Sequence, residues 1–190
     1  TDVPSHGMRV FFSRLLLIVA TAASVVAERA SAQSEPVVGM MTRLYTDTTR
    51  RNWENTAPRP VRTSIWYPAP PGLPQRSILD ASAPFTVPPV AENAPIAQTQ
   101  RTWPLILVSH GTGGSAIQLM WLGHGLAARG YIVAAVSHHG NTALEPRPTA
   151  QGFLLYWEWA RDLDVALDAL LTDTVFAARV DTTRIGAAGF

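Results

Sequence analysis

Leu105-Ile106-Leu107-Val108-Ser109-His110-Gly111-Thr112-Gly113-Gly114 joins an apolar run to a glycine-rich turn. An apolar run without polar alternation marks a strand buried on both faces, as in a parallel sheet. Residues 116–129 follow in a helical pattern, with Leu119, Leu122, Leu126 and Ala127 at helical spacing. Ser115 stands where an N-cap belongs and Gly130 where a helix-closing glycine belongs. Tyr131-Ile132-Val133-Ala134-Ala135-Val136 is a second apolar strand. After a polar loop over 137–152, Phe153 to Thr172 reads as one helix. Trp159, Leu163, Ala166, Leu167 and Leu170 share a face there, and Arg161, Asp162, Asp164 and Asp168 read as its solvated sides. Arg184 to Ala188 is a third apolar strand, introduced by Asp181-Thr182-Thr183. Strand, helix, strand, helix, strand with short turns predicts an α/β fold, a mostly parallel sheet with crossover helices.

Upstream the texture changes. Val37 to Thr46 is a plausible strand, and Val61 to Tyr67, rich in β-branched and aromatic residues, is a better one. Arg50 to Pro60 reads as the connection between them. Residues 68–104 read as a surface excursion, because 11 of the 15 prolines fall between Pro58 and Pro104. Proline removes an amide donor and fixes φ, so neither a helix nor a central strand persists there. Phe85, Val87 and Val90 are the candidates to tack it to the body.

Residues 1–32 read as a leader rather than as domain. Met8-Arg9-Val10-Phe11-Phe12-Ser13-Arg14 is a basic start, Leu15 to Ala27 an apolar run, and Ala30-Ser31-Ala32 a cleavage site before Gln33. Thr1 to Gly7 precede the first start methionine and read as a frame extension. The apolar run is too short to span about 30 Å of hydrocarbon, and Glu28-Arg29 interrupt it. The expectation is an exported protein, secreted or periplasmic, with no stable membrane anchor after signal removal. Residues 33–190 then hold the N-terminal part of one domain.

All 15 basic residues are arginine, there is no cysteine, and the net charge is +1. A near-neutral chain without a basic run is not built for a phosphate backbone, so no nucleic-acid partner is expected. A cysteine nucleophile and a cysteine zinc site are excluded. His138 and His139 are adjacent, so they cannot turn both rings to one ion as an i, i+4 helical pair does, and no metal is expected.

The loop His110-Gly111-Thr112-Gly113-Gly114 leaves the C-terminal end of a buried strand, where open α/β sheets bind ligands. Glycines let the backbone come close, and converging amides suit an oxyanion. The same glycines also suit a tight strand-to-helix turn with no further role. A phosphate cradle fails, since there is no G-x-x-x-x-G-K and no lysine, and the dinucleotide fingerprint would need a third glycine at Ile117. Gly189-Phe190 at the end of the third strand matches the first half of G-x-S-x-G, the turn that lifts a nucleophilic serine above a sheet.

From Ile65 to Phe190 the chain resembles the α/β-hydrolase fold, and within it the dienelactone-hydrolase-like and platelet-activating-factor-acetylhydrolase-like esterases. The resemblance is carried by Ile65-Trp66-Tyr67-Pro68, Leu107 to Gly114, Leu126 to Tyr131, His138-His139-Gly140-Asn141-Thr142, Arg161 to Asp164 and Asp181 to Phe190. It implies a serine ester hydrolase acting through an acyl-serine intermediate, with no cofactor and a small-molecule or lipid ester, a lactone or a polyester as substrate. It implies the Thr112 N–H as one oxyanion donor, His110 as a loop-shaping residue, and a nucleophile immediately after Phe190. The triad would follow in the order serine, aspartate, histidine, so no visible aspartate or histidine belongs to it, and residues 1–190 alone would be inactive. The alternatives are a non-catalytic binding protein of the same fold and an acyltransferase on that scaffold.

Overall fold

The β-branched and aromatic residues of Val61–Tyr67 sit in the longest antiparallel pair of the molecule. A computed structural model describes residues 36–80, 83 and 86–190; the predicted leader over 1–32 lies outside them. Strand β1 (Val38–Arg51) pairs with β2 (Pro58–Pro68) from Val38↔Pro68 to Asp47↔Arg59, with a register shift before Arg51↔Pro58. Both strands are longer than their propensities suggest, which shortens the predicted 50–60 connection to residues 52–57. Asn55 takes the positive φ of 54° that closes this turn.

The other strands are β3 (Ala91–Glu92), β4 (Trp103–Ser109), β5 (Ile132–Ser137) and β6 (Val180–Gly189). The sheet order is β3-β1-β2-β5-β4-β6. β4 runs parallel to both β5 and β6, while β2 meets β5 antiparallel. The sheet is thus mixed, with the parallel part where the apolar runs predict it. Among the described residues β6 is an edge strand, and Thr182 to Gly189 are exposed along it.

Alternate residues of β4 feed two cores. Leu105 and Leu107 pack with Ile65, Tyr67, Ile132, Leu170 and Phe176 on one face. Val108 packs with Trp66, Met120, Val133 and Ala135 on the other. The proline-rich excursion is tied down. Tyr67 Oη donates to Ala94 O at 2.7 Å, the Ala97 N–H to Pro68 O at 2.8 Å, and β3 pairs with β1. Val90 is fully buried and Val87 partly so, while Phe85 lies outside the described residues.

The first predicted helix begins as a 3₁₀ turn (Ala116–Leu119) and continues as α1 (Met120–Ala127). Ser115 makes no side-chain cap bond; the Ala116 N–H instead donates to Ser137 Oγ at 3.1 Å. Gly130 takes φ +88°, as its closing role requires. The second predicted helix divides into α2 (Ala150–Leu154) and α3 (Glu158–Leu170). Phe153, Leu154, Tyr156 and Trp157 are all exposed, so no buried face carries the periodicity across residues 155–157. Among the described residues no helix is long and apolar enough to cross a membrane.

Candidate active site

Strands β4 and β6 end side by side, with Ser109 opposite Gly189. The glycine loop therefore rises against the Gly189-Phe190 end. A Cβ added at Gly111 would lie 3.6 Å from the Phe190 carbonyl oxygen. Between them opens a cavity of about 360 Å³ that Gly111, Thr112, Gln118, Trp121 and Phe190 help to line. A larger hollow of about 720 Å³ lies at the other end of β4, near Trp103 and Gly130; its one titratable lining residue is Arg129.

Thr112 is exposed, and its N–H has no hydrogen-bond partner among the described residues. The two amides that follow it are engaged. The Gly114 N–H donates to Gly111 O at 3.0 Å, and the Gly113 N–H donates to Asn141 Oδ1. Gly113 has φ +69°, a conformation that favours glycine. His110 is buried, and its Nε2 accepts from the His138 N–H at 3.0 Å. That leaves its hydrogen on Nδ1, which donates to Gly111 O at 2.6 Å. Burial pushes the His110 pKa down to about 4, helped by His138 and opposed by the Gly111 carbonyl. The ring is neutral at pH 7 and shapes the loop.

A second cluster lies on the α3 side of the sheet. Ser109 Oγ is 2.9 Å from His138 Nε2, and His138 Nδ1 is 3.1 Å from Asp162 Oδ2. The order serine, histidine, aspartate is that of a catalytic triad, but the electrostatics are not. Asp162 also accepts from Arg50 Nη2 at 2.8 Å and from Arg59 Nε and Nη2 at 2.7 and 2.8 Å. Two guanidiniums offset the carboxylate charge that would stabilise an imidazolium. Burial lowers the His138 pKa, the two arginines lower it further, and Asp162 opposes them with net lowering. An imidazole that resists protonation is a weak general base. Trp159 stacks on it with centroids 4.8 Å apart and planes 6° from parallel.

Asp162 corrects the helix-face reading. It is 1% exposed, whereas Asp164 and Asp168 on the same helix are exposed. Its carboxyl is pushed up by burial, but Arg59 and His138 more than offset this and hold it at about 2. Its arginine partners lie 103 and 112 residues away, so helical periodicity carried no sign of them. The two adjacent histidines diverge. His138 turns inward, while His139 Nδ1 meets Glu145 Oε1 at 2.7 Å and its ring stacks on Trp53. Ser109 and Asn141 fall in the motifs that carry the resemblance, but no local pattern gave them, or Arg59, a role; those arise from contacts across the fold.

The sheet order and the glycine loop after β4, beside the end of β6, are those of an α/β fold with a candidate site at its strand ends. Residues 78–148 match the family of platelet-activating factor acetylhydrolase, isoform II. A 90-residue stretch is 33% identical to cutinase est2 of Thermobifida alba, covering 46% of this chain and 26% of the cutinase. The fold is similar to that of a ferulic acid esterase from Streptomyces cinnamoneus, with a TM-score of 0.65, 26% identity, and coverage of 84% of this chain and 54% of the other. The chain has an α/β fold, and the proteins it is similar to are esterases. It spans about half the length of that ferulic acid esterase, and its match covers about a quarter of the cutinase.

Proposed function

We propose that this chain is the N-terminal part of an exported serine hydrolase of carboxylic esters. The observation that carries the reading is the Thr112 N–H, unpartnered among the described residues while the following Gly113 and Gly114 amides are both held, beside a cavity that Thr112 and Phe190 line. An unpaired backbone donor held in place is what a tetrahedral acyl intermediate needs at its oxyanion. Export rests on the leader pattern over 1–32.

The mechanism follows from the placement. β6 leads into a nucleophile elbow, Gly189-Phe190-Ser-x-Gly, in the whole protein. The serine attacks the ester carbonyl, the oxygen becomes an oxyanion held by the Thr112 N–H and by the N–H after the serine, and the alcohol departs. Water then resolves the acyl-serine. The resemblance implies a base and an aspartate downstream, and the electrostatics of His138 and Asp162 suit neither role. The relatives are named as a cutinase and a ferulic acid esterase, both ester hydrolases by name. A lipid ester, a lactone or a polyester is the substrate class, and no cofactor enters the scheme.

The test is made on the whole protein with p-nitrophenyl acetate. Thr112→Pro deletes the N–H and should lower kcat by about 10²–10³. Thr112→Ala keeps the N–H and should retain near wild-type activity. A folded Thr112→Pro protein with unchanged kcat, or a residue other than serine after Phe190, would sink the mechanism.

A further inference from the structure

Three glycines in the four residues Gly111 to Gly114 give the loop great conformational freedom. Oxyanion stabilisation needs the opposite, a donor fixed before the reaction begins. Within the loop the local bonds are those that His110 Nδ1 and the Gly114 N–H both donate to Gly111 O. The remaining restraint arrives from the segment after β5. We propose that Ser137–Ala143 is a positioning clamp for the oxyanion loop and that Asn141 is its principal positioning residue, a role that rests on the ester-hydrolase reading above.

The clamp grips at four points. Ser137 Oγ accepts the Ala116 N–H at 3.1 Å, and the His138 N–H holds His110 Nε2 at 3.0 Å. Asn141 Oδ1 accepts the Gly113 N–H, and the Ala143 N–H donates to Gly114 O at 2.9 Å. Peptide planarity turns these bonds into control of Thr112. The Thr112 N–H shares its plane with the Gly111 carbonyl, which His110 Nδ1 and the Gly114 N–H both hold. The next plane contains the Gly113 N–H, which Asn141 holds. With both planes pinned, the Thr112 donor has one direction.

Asn141 is itself held. It is fully buried, and its Nδ2 donates to Gly152 O in α2 at 3.2 Å. The Thr149 N–H donates to Gly140 O at 2.8 Å, and Gly140 takes φ +81°. A Cβ on Gly152 would overlap the Gly140 backbone, so clamp and helix are in direct contact. The Ser109–His138–Asp162 chain anchors the start of the clamp to β4 and α3. This gives the triad-like cluster a structural purpose that does not require it to transfer a proton.

The experiment compares Asn141→Leu and Asn141→Asp with wild type in the whole protein. Asn141→Leu should lower kcat on p-nitrophenyl acetate about 10–100-fold with KM within about twofold, because a displaced donor is felt in the transition state. Its Gly113 amide, slow to exchange with deuterium in wild type, should exchange fast. Asn141→Asp keeps the acceptor for Gly113 but, when ionised, has no hydrogen for Gly152 O. Its kcat relative to wild type should rise as pH falls and the carboxyl gains a proton. A folded Asn141→Leu protein with wild-type kcat, or with a raised KM and unchanged kcat, would overturn the clamp. If Asn141→Leu does not fold, a pH-independent Asn141→Asp to wild-type ratio near one overturns it instead. If wild type hydrolyses no ester, the function reading fails, and the clamp stands or falls on Gly113 exchange alone: unchanged protection in Asn141→Leu overturns it, and lost protection supports it.

Discussion

Replacing Asp162 by alanine should destabilise the protein far more than the same change at Asp164 or Asp168. All three sit in α3, but only Asp162 is buried, accepting from both Arg50 and Arg59. Removal leaves two guanidiniums, 8% and 1% exposed at the side chain, without their shared carboxylate. Breaking a buried ion pair from one side costs about 3–5 kcal/mol. A second route gives a smaller figure. The Asp162 pKa falls from 3.8 to about 2, and at 1.36 kcal/mol per unit that is on the order of 2–3 kcal/mol. The two differ because a protonated Asp162 still fills its site and keeps some hydrogen bonds, whereas alanine does neither. Urea unfolding of the whole protein at pH 7 reads the effect as a fall in midpoint at constant m. Asp164→Ala and Asp168→Ala should stay within about 0.5 kcal/mol of wild type. Because the folded pKa is depressed, this contribution is present above about pH 4 and disappears as pH falls towards 2. A loss at Asp162→Ala no larger than at Asp164→Ala would refute the reasoning.

Two further outcomes follow from the packing and from the histidines. Helix propensity alone says that Gly123→Ala in α1 should stabilise by up to about 1 kcal/mol. Its Cβ would stand 2.5 Å from Cε3 of the fully buried Trp66, so the net change should be a destabilisation of about 1–3 kcal/mol, read as a lower Tm. The His110 pKa is depressed to about 4, so the unfolded chain takes up its proton first as pH falls. Stability should decline between about pH 6.5 and 4, by up to about 3 kcal/mol from this residue. His110→Asn should flatten that part of a stability–pH curve; an unchanged slope would contradict the neutral-ring assignment.

The apolar runs at Leu105–Val108 and Ile132–Val136 were legible as strands because a parallel strand buried on both faces has no polar alternation, and Ile185–Ala188 carries the same pattern although it is exposed at the sheet edge among the described residues. The helix ends were less so. Ser115 has the right chemistry for a cap but gives no cap bond, because Ser137 supplies the acceptor for Ala116. Propensity placed the end of β1 near Thr46, and the strand runs on to Arg51 because its partner β2 begins at Pro58. Pairing, not composition, extends a strand.

The sequence by itself determined the fold class and the likeness to ester hydrolases, because each is written in local order and spacing. Tertiary structure alone decided which polar residues matter. Asp162 and Asp164 are indistinguishable along the chain, yet one is the hub of a buried charge network and the other faces solvent. Ser109, His138 and Asp162 come together in the order of a triad, and burial together with the two arginines beside them disfavours the histidine as a base. Charge and hydrogen bonding depend on neighbours in space, and residues a hundred positions apart become neighbours only when the sheet closes.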